Sequence, residues 1–173
     1  YQGQRLWADA ARVWEEVLAR RPHLTQVGLD LAFCRQEQGD FKGSEAAARD
    51  VLARDPDDAN ALNYLGYQLA EENRELDEAY GLLRRALALE PDNGAFVDSM
   101  GWVLYRMGRL EEARRELERA VQLANGDATV REHLGDVYRD LKMPEQARDQ
   151  YQKSLAKDES NQSRLRGKLQ SLR

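Results

Sequence analysis

The tripeptides Leu65-Gly66-Tyr67, Met100-Gly101-Trp102 and Leu134-Gly135-Asp136 recur at intervals of 35 and 34 residues, and nothing else in the chain restricts its fold as strongly. A period of that length marks a repeated supersecondary unit, one that buries its apolar face by stacking on its neighbours. Surrounding positions keep the register. Three residues after each glycine stands Leu69, Leu104 or Tyr138, and twelve or thirteen after it stands Ala79, Ala113 or Ala147. Four residues beyond each alanine comes Leu83, Leu117 or Tyr151. The stretch AFVDSMGWVLYRMGRLEEARRELERAVQLA carries apolar residues at helical spacing on both sides of MGRLEE, which predicts two antiparallel helices joined by a turn. Glycine and alanine at the matching positions let the two backbones approach where a larger side chain would hold them apart.

Together these positions follow the pattern W-x2-L-G-x2-Y, A-x3-F, P, and the chain resembles the tetratricopeptide repeat (TPR) family over almost its whole length. The resemblance implies an all-α fold, a right-handed superhelical solenoid of antiparallel helix pairs with a C-terminal capping helix. One domain is expected over 1–173, with a half repeat at 1–24, full repeats at 25–58, 59–93, 94–127 and 128–161, and the cap at 162–173. It reads as a fragment of a longer protein. Pro22 and Pro56 keep the closing turn and Ala10 with Trp14 keeps the A-x3-F step, whereas Ala32 replaces the glycine and Ser44 the alanine of the weakest unit, 25–58. Pro144 suits the first turn of a second helix. Asp57, Asp92 and Asp127 are expected helix caps.

In this family the first helices line a concave groove, and the residue after each glycine faces inward. Carried onto this sequence, that position holds Phe33, Tyr67, Trp102 and Asp136, with Asn63, Tyr64, Asp98, Ser99, Tyr105, Arg106, Glu132, His133 and Arg139 beside it. Two placements stay open for Tyr67 and Trp102, a ligand-contacting aromatic ladder or packing between repeats. The ladder is favoured because Leu62, Leu65 and Leu69, with Val97, Met100 and Leu104, already supply the partner-facing stripe. Rigid aromatics of this kind often anchor interfaces, and Asn63 can hydrogen-bond a peptide backbone. The family's carboxylate clamp needs lysines where this chain has Leu29, Asn63, Asp98 and Glu132. The carboxylates Asp30, Asp98, Glu132 and Asp136 outnumber the bases Arg106 and Arg139, so a neutral to basic, partly apolar segment is the expected ligand.

Composition and motifs exclude other classes. A net charge of -5 argues against nucleic acid as partner, since phosphate binding needs a basic surface. No apolar run approaches the roughly 20 residues of a membrane-spanning helix. His23 and His133 belong to no metal or triad motif, and no phosphate loop, HExxH or GxSxG occurs, so neither cofactor nor enzymatic activity is expected. His23 falls in an inter-repeat turn and His133 in the groove. Cys34, the single cysteine, sits in LDLAFC and is expected to be buried.

The ends carry further expectations. NQSRLRGKLQSLR places Leu165, Leu169 and Leu172 on one helical stripe with Arg164, Arg166, Lys168 and Arg173 around it, an amphipathic cap. Tyr1 aligns with the late part of an absent first helix, which leaves Trp7 and Trp14 on an incompletely covered flank, to be met by further repeats or another chain. Residues 59–127, with the extra residue in EENRELDEA and the run DSMGWVLYR, are similar to the C-terminal repeats of bacterial envelope TPR lipoproteins and adaptors. That likeness leaves periplasmic, outer-membrane-associated and cytoplasmic locations open, with a lipid-anchored parent among the alternatives. The function so implied is a noncatalytic scaffold or adaptor that binds a peptide or protein segment in the groove. Two alternatives are an oligomerisation module using the Trp7 and Trp14 flank, and a regulatory region of a larger enzyme.

Overall fold

The computed structural model describes residues 2–157 and 162–172; the expectations attached to Tyr1, Arg173 and the end of the 128–161 unit lie outside them. The described residues contain ten α-helices and no strand: α1 (Gln2–Arg20), α2 (Thr25–Glu37), α3 (Phe41–Arg54), α4 (Ala59–Glu71), α5 (Leu76–Leu89), α6 (Gly94–Arg106), α7 (Leu110–Leu123), α8 (Ala128–Asp140), α9 (Pro144–Lys157) and α10 (Gln162–Ser171). Consecutive helices pair as α2/α3, α4/α5, α6/α7 and α8/α9, each pair packing on the next, with α1 against α2 and α10 against α9. Gln2–Leu6, where later units have a turn, continue α1 without a break.

Each pair closes on a contact with no room for a side chain. A Cβ on Gly66 would lie 2.7 Å from Leu83 Cγ, on Gly101 2.5 Å from Leu117 Cγ, and on Gly135 2.4 Å from Tyr151 Cε1. The large residue four positions after each alanine is thus the knob that fills the space the glycine leaves, and Leu83, Leu117 and Tyr151 are all 0% exposed. The first full repeat solves the same problem differently. Ala32 and Ala48 are both fully buried, and the close approach moves one turn back, to Gly28 against Val51 Cγ2 at 2.4 Å. Ser44, standing for the consensus alanine, is buried with its hydroxyl 2.9 Å from that of Tyr64 and from the Gln68 amide that donates to it.

The turns between repeats correct the expected caps by one residue in two of three cases. Asp58 accepts from Ala61 N, and Asn93 from Ala95 and Phe96 N, so these cap α4 and α6; Asp127 caps α8 as expected. Asp57 and Asp92 instead take Arg85 and Arg119 from the second helix that follows. These arginines also donate to the carbonyls of Pro56 and Pro91, Arg54 reaches Pro22 O at 2.7 Å, and Lys157 reaches Asn125 O at 2.6 Å. The C-terminal part of each of these second helices is therefore tied to the turn that precedes its own repeat. In three of these turns the acceptor is the carbonyl of the closing proline, and in the fourth it is that of Asn125. α2 alone among the capped first helices lacks a side-chain cap, its N-cap position being Leu24.

Two glycines should respond oppositely to alanine. Gly101→Ala should destabilise by about 1–3 kcal/mol through overpacking against Leu117, although alanine is the better helix former. Gly81→Ala, with open space around the added Cβ, should stabilise by up to about 1 kcal/mol. Urea titrations of both variants check this; equal shifts would remove the close-approach account. Hydrogen exchange should open 25–58, with its uncapped α2 and with Gly43 in α3, before 94–127.

Candidate functional site

The first helices α2, α4, α6 and α8 present the expected inner residues, but the two halves of that surface differ. In the C-terminal half the side chains are spent on one another. Trp102 is only 8% exposed, stacks on His133 at 4.2 Å between ring centroids and on Tyr105 at 5.0 Å, and lies under Arg106 at 5.7 Å. His133 Nδ1 meets the two Asp98 carboxylate oxygens at 2.9 and 3.1 Å, and the Tyr67 ring lies 6.4 Å from it. Three successive first helices thus meet around one imidazole. Of the two placements open for Trp102, the structure shows packing between repeats, because the flat imidazole of the next repeat covers the indole face.

The other acidic positions are also occupied. Glu132 pairs with Arg164 and Lys168, and Asp136 with Lys168 and Arg139 while accepting from Tyr151 OH at 2.7 Å. Tyr105 OH donates to Asp140 at 2.8 Å, and Arg139 reaches both Asp140 and Tyr105. Ser99 is buried, its hydroxyl donating to Ala95 O. Asp98, Glu132 and Asp136, counted as groove charge in the sequence, are thus buried and partnered. Arg106 donates to Glu71 O at 3.3 Å.

The N-terminal half is open. Phe33 is 45% exposed and borders a depression of about 320 Å³ with Leu29, Asp30, Asn63 and Tyr64. Asn63 Oδ1 has no protein partner. Tyr67 is half-buried and borders a second depression of about 320 Å³ with Phe41 and Glu71. Tyr64 lines the first depression and is half-buried. Its hydroxyl donates to Gln36 Oε1 and joins Ser44 and Gln68, and burial pushes its pKa up to about 12. Sequence reasoning missed Gln36, Gln68 and the 52%-exposed Phe41; the signal was Ser44, a polar residue at a position that is otherwise alanine.

On the N-terminal flank, Trp7 and Trp14 are half-buried and packed on the core, Trp7 edge-on to Phe33 at 5.5 Å. The bare apolar residues of α1 are Leu6 and Val13, 69% and 54% exposed and two turns apart. Cys34 is buried, and burial raises its thiol pKa. His23 lies exposed in the turn before α2. Among the described residues no three His, Cys, Asp or Glu side chains converge as a metal site requires, and no helix is long and apolar enough to cross a membrane.

Comparison with known proteins follows the same architecture. Family profiles described as tetratricopeptide repeat match residues 3–65 and 95–160. The TPR repeat-containing protein PA4667 of Pseudomonas aeruginosa is 44% identical over 101 residues, covering 58% of this chain and 17% of that protein. The type IV pilus assembly protein PilF of the same organism is 33% identical over 123 residues, 69% of this chain and 48% of its own length. The chain therefore spans less than half of either relative. Among solved structures, the thermophilic TPR protein TTC0263 of Thermus thermophilus superposes with a TM-score of 0.80 at 21% identity, covering 99% of this chain and 95% of that one. The APC/C hetero-tetramer Cut9-Hcn1 gives 0.86 at 18% identity over 96% of this chain and 33% of that one. At these identities the solved structures speak for the fold alone.

The His133–Asp98 pair sets a pH dependence. Burial works against the imidazolium, but Asp98, with Asp136 and Glu71 behind it, outweighs burial and raises the pKa above its ordinary value. A raised folded pKa means the stabilisation is complete below about pH 6.5, the unfolded value, and is lost as pH rises through the folded pKa. Melting temperature should therefore fall more in wild type than in His133→Gln between pH 6 and pH 9. At pH 6 the variant, which leaves Asp98 buried without its cation, should cost about 3 kcal/mol. Parallel pH profiles would show that His133 does not change protonation in this range and would remove the pH dependence.

Proposed function

Since this chain belongs to the tetratricopeptide repeat family, a fold that generally serves as a noncatalytic protein-interaction scaffold, we propose that it is an adaptor holding a peptide or protein segment against the N-terminal half of its concave face. The observation that carries this reading is the contrast along the groove. Around Trp102 and His133 the ring faces and carboxylates are consumed by contacts between repeats, whereas Phe33 is exposed and has Asn63 beside it across an open depression. An exposed apolar anchor beside a polar amide side chain suits an extended or helical segment that lays an apolar side chain on Phe33. The carboxylates of Asp30, Glu37 and Glu71 lie on α2 and α4, and no ion pair is formed by them among the described residues. They favour a neutral to basic ligand.

A second reading rests on α1. Leu6 and Val13 form an uncovered apolar pair on its outer side, and this pair, rather than the half-buried Trp7 and Trp14, would be the contact for a further repeat, another copy or a partner. Light scattering over a hundredfold concentration range tests the copy; a mass that does not change removes it.

Affinity capture from a source-organism lysate with wild type and with Phe33→Ala/Asn63→Ala/Tyr67→Ala tests the main reading. The triple variant should stay folded by circular dichroism and lose the dominant bound protein by at least tenfold. Equal recovery by both proteins would transfer the binding surface to α1 or to the convex side.

A further inference from the structure

The last helix shows what chemistry the C-terminal end of the solenoid accepts. α10 occupies the place that a following first helix would take, against α9 and the inner edge of α8. Its seat is made of charge. Glu132 and Asp136, one turn apart on α8, have side chains 7% and 8% exposed. They receive Arg164 at 2.6 Å and Lys168 at 2.7 and 2.6 Å, again one turn apart. Lys168 also lies over the Tyr151 ring at 5.6 Å. The apolar part is Leu165, fully buried, with Leu169 and Leu172 half-buried against the core. Asp136 keeps Arg139 and the Tyr151 hydroxyl from its own repeat, but both cations of Glu132 come from α10, so whatever covers this seat must bring positive charge to Glu132.

The occupant carries one weak point. Gly167, near its centre, lowers helicity. Packing does not demand that glycine, because nothing lies within 4 Å of where its Cβ would be. We propose that the Glu132/Asp136 seat is an exchangeable docking site, and that a basic amphipathic helix of a partner protein, with cations four residues apart and a leucine after the first, binds there in place of α10. This surface lies at the opposite end of the solenoid from the open groove half, and the proposal does not depend on what that groove binds.

The test uses the full chain and a fluorescein-labelled, amidated peptide of residues 162–172 as probe. Arg164→Glu/Lys168→Glu should expel α10 from its seat and bind the peptide saturably by fluorescence anisotropy. Wild type should bind at least tenfold more weakly, because its own helix competes at the millimolar effective concentrations of a tethered segment. Gly167→Ala, which firms α10, should bind more weakly still. Adding Glu132→Gln/Asp136→Asn to the first variant should remove at least tenfold of its affinity, and raising salt should weaken what remains. Circular dichroism establishes that each protein is folded. Equal binding by wild type and Arg164→Glu/Lys168→Glu, or none by the folded variant at the highest soluble peptide concentration, would overturn the proposal. A wild-type mass that doubles with concentration and collapses to monomer in Arg164→Glu/Lys168→Glu would assign the seat to a second copy and overturn it equally.

Discussion

Everything in this solenoid depends on the approach of two backbones at a glycine. Gly66, Gly101 and Gly135 let Leu83, Leu117 and Tyr151 enter the facing helix to distances at which no Cβ could stand. That contact sets the spacing within a pair, and the spacing within a pair fixes where the next first helix can lie. The remaining core is filled by residues that tolerate variation: alanines at 0% exposure where the helices cross, and leucines, valines and methionine between repeats. The first full repeat makes the point by exception. With Ala32 in place of the glycine and Ala48 in place of the large residue, it keeps the close approach by moving it to Gly28 and Val51, and it fills the remaining space with a hydrogen-bonded group of the buried Ser44 and Gln68 and the half-buried Tyr64 and Gln36.

The repeat register, the helix pairs and the place of Pro144 at the start of α9 were legible because each follows from a local pattern repeated at a fixed period. Cys34 and His23 were placed correctly for the same reason. The caps were read one residue early at Asp57 and Asp92, where two adjacent residues, Asp57-Asp58 and Asp92-Asn93, are both competent acceptors. Which of them caps is decided by an arginine 27 or 28 residues away that claims the other, and no local pattern carries that.

The inner surface was harder to read, and the reason is physical. Placing Phe33, Tyr67, Trp102 and Asp136 on one face needs only helical geometry, but whether a face is open depends on what the next repeat sets opposite it. Asp98 looks like free groove charge until His133, 35 residues on, is found against it. Glu132 and Asp136 look the same until α10 supplies Arg164 and Lys168. Each of these partners was present in the sequence as a charge of opposite sign about one period away. An inner carboxylate in such a chain is therefore best read together with the residue one repeat further along.

The imidazole that touches three successive first helices has a mechanical consequence. A stack of helix pairs behaves as a spring, and its stiffness is set by the joints between coils. Between α4, α6 and α8 the joint is a ring held flat against an indole and tethered to a carboxylate, so bending there must part a stacked contact and a charged hydrogen bond at once. Between α2 and α4 the inner joint is a set of neutral hydroxyl and amide contacts beside an open depression, and the ion pairs Arg49–Glu78 and Arg74–Glu45 that link the same two repeats involve the second helices and the turn before α5. Strain imposed on the molecule will gather at that softer joint, which changes its curvature while the other end keeps its shape.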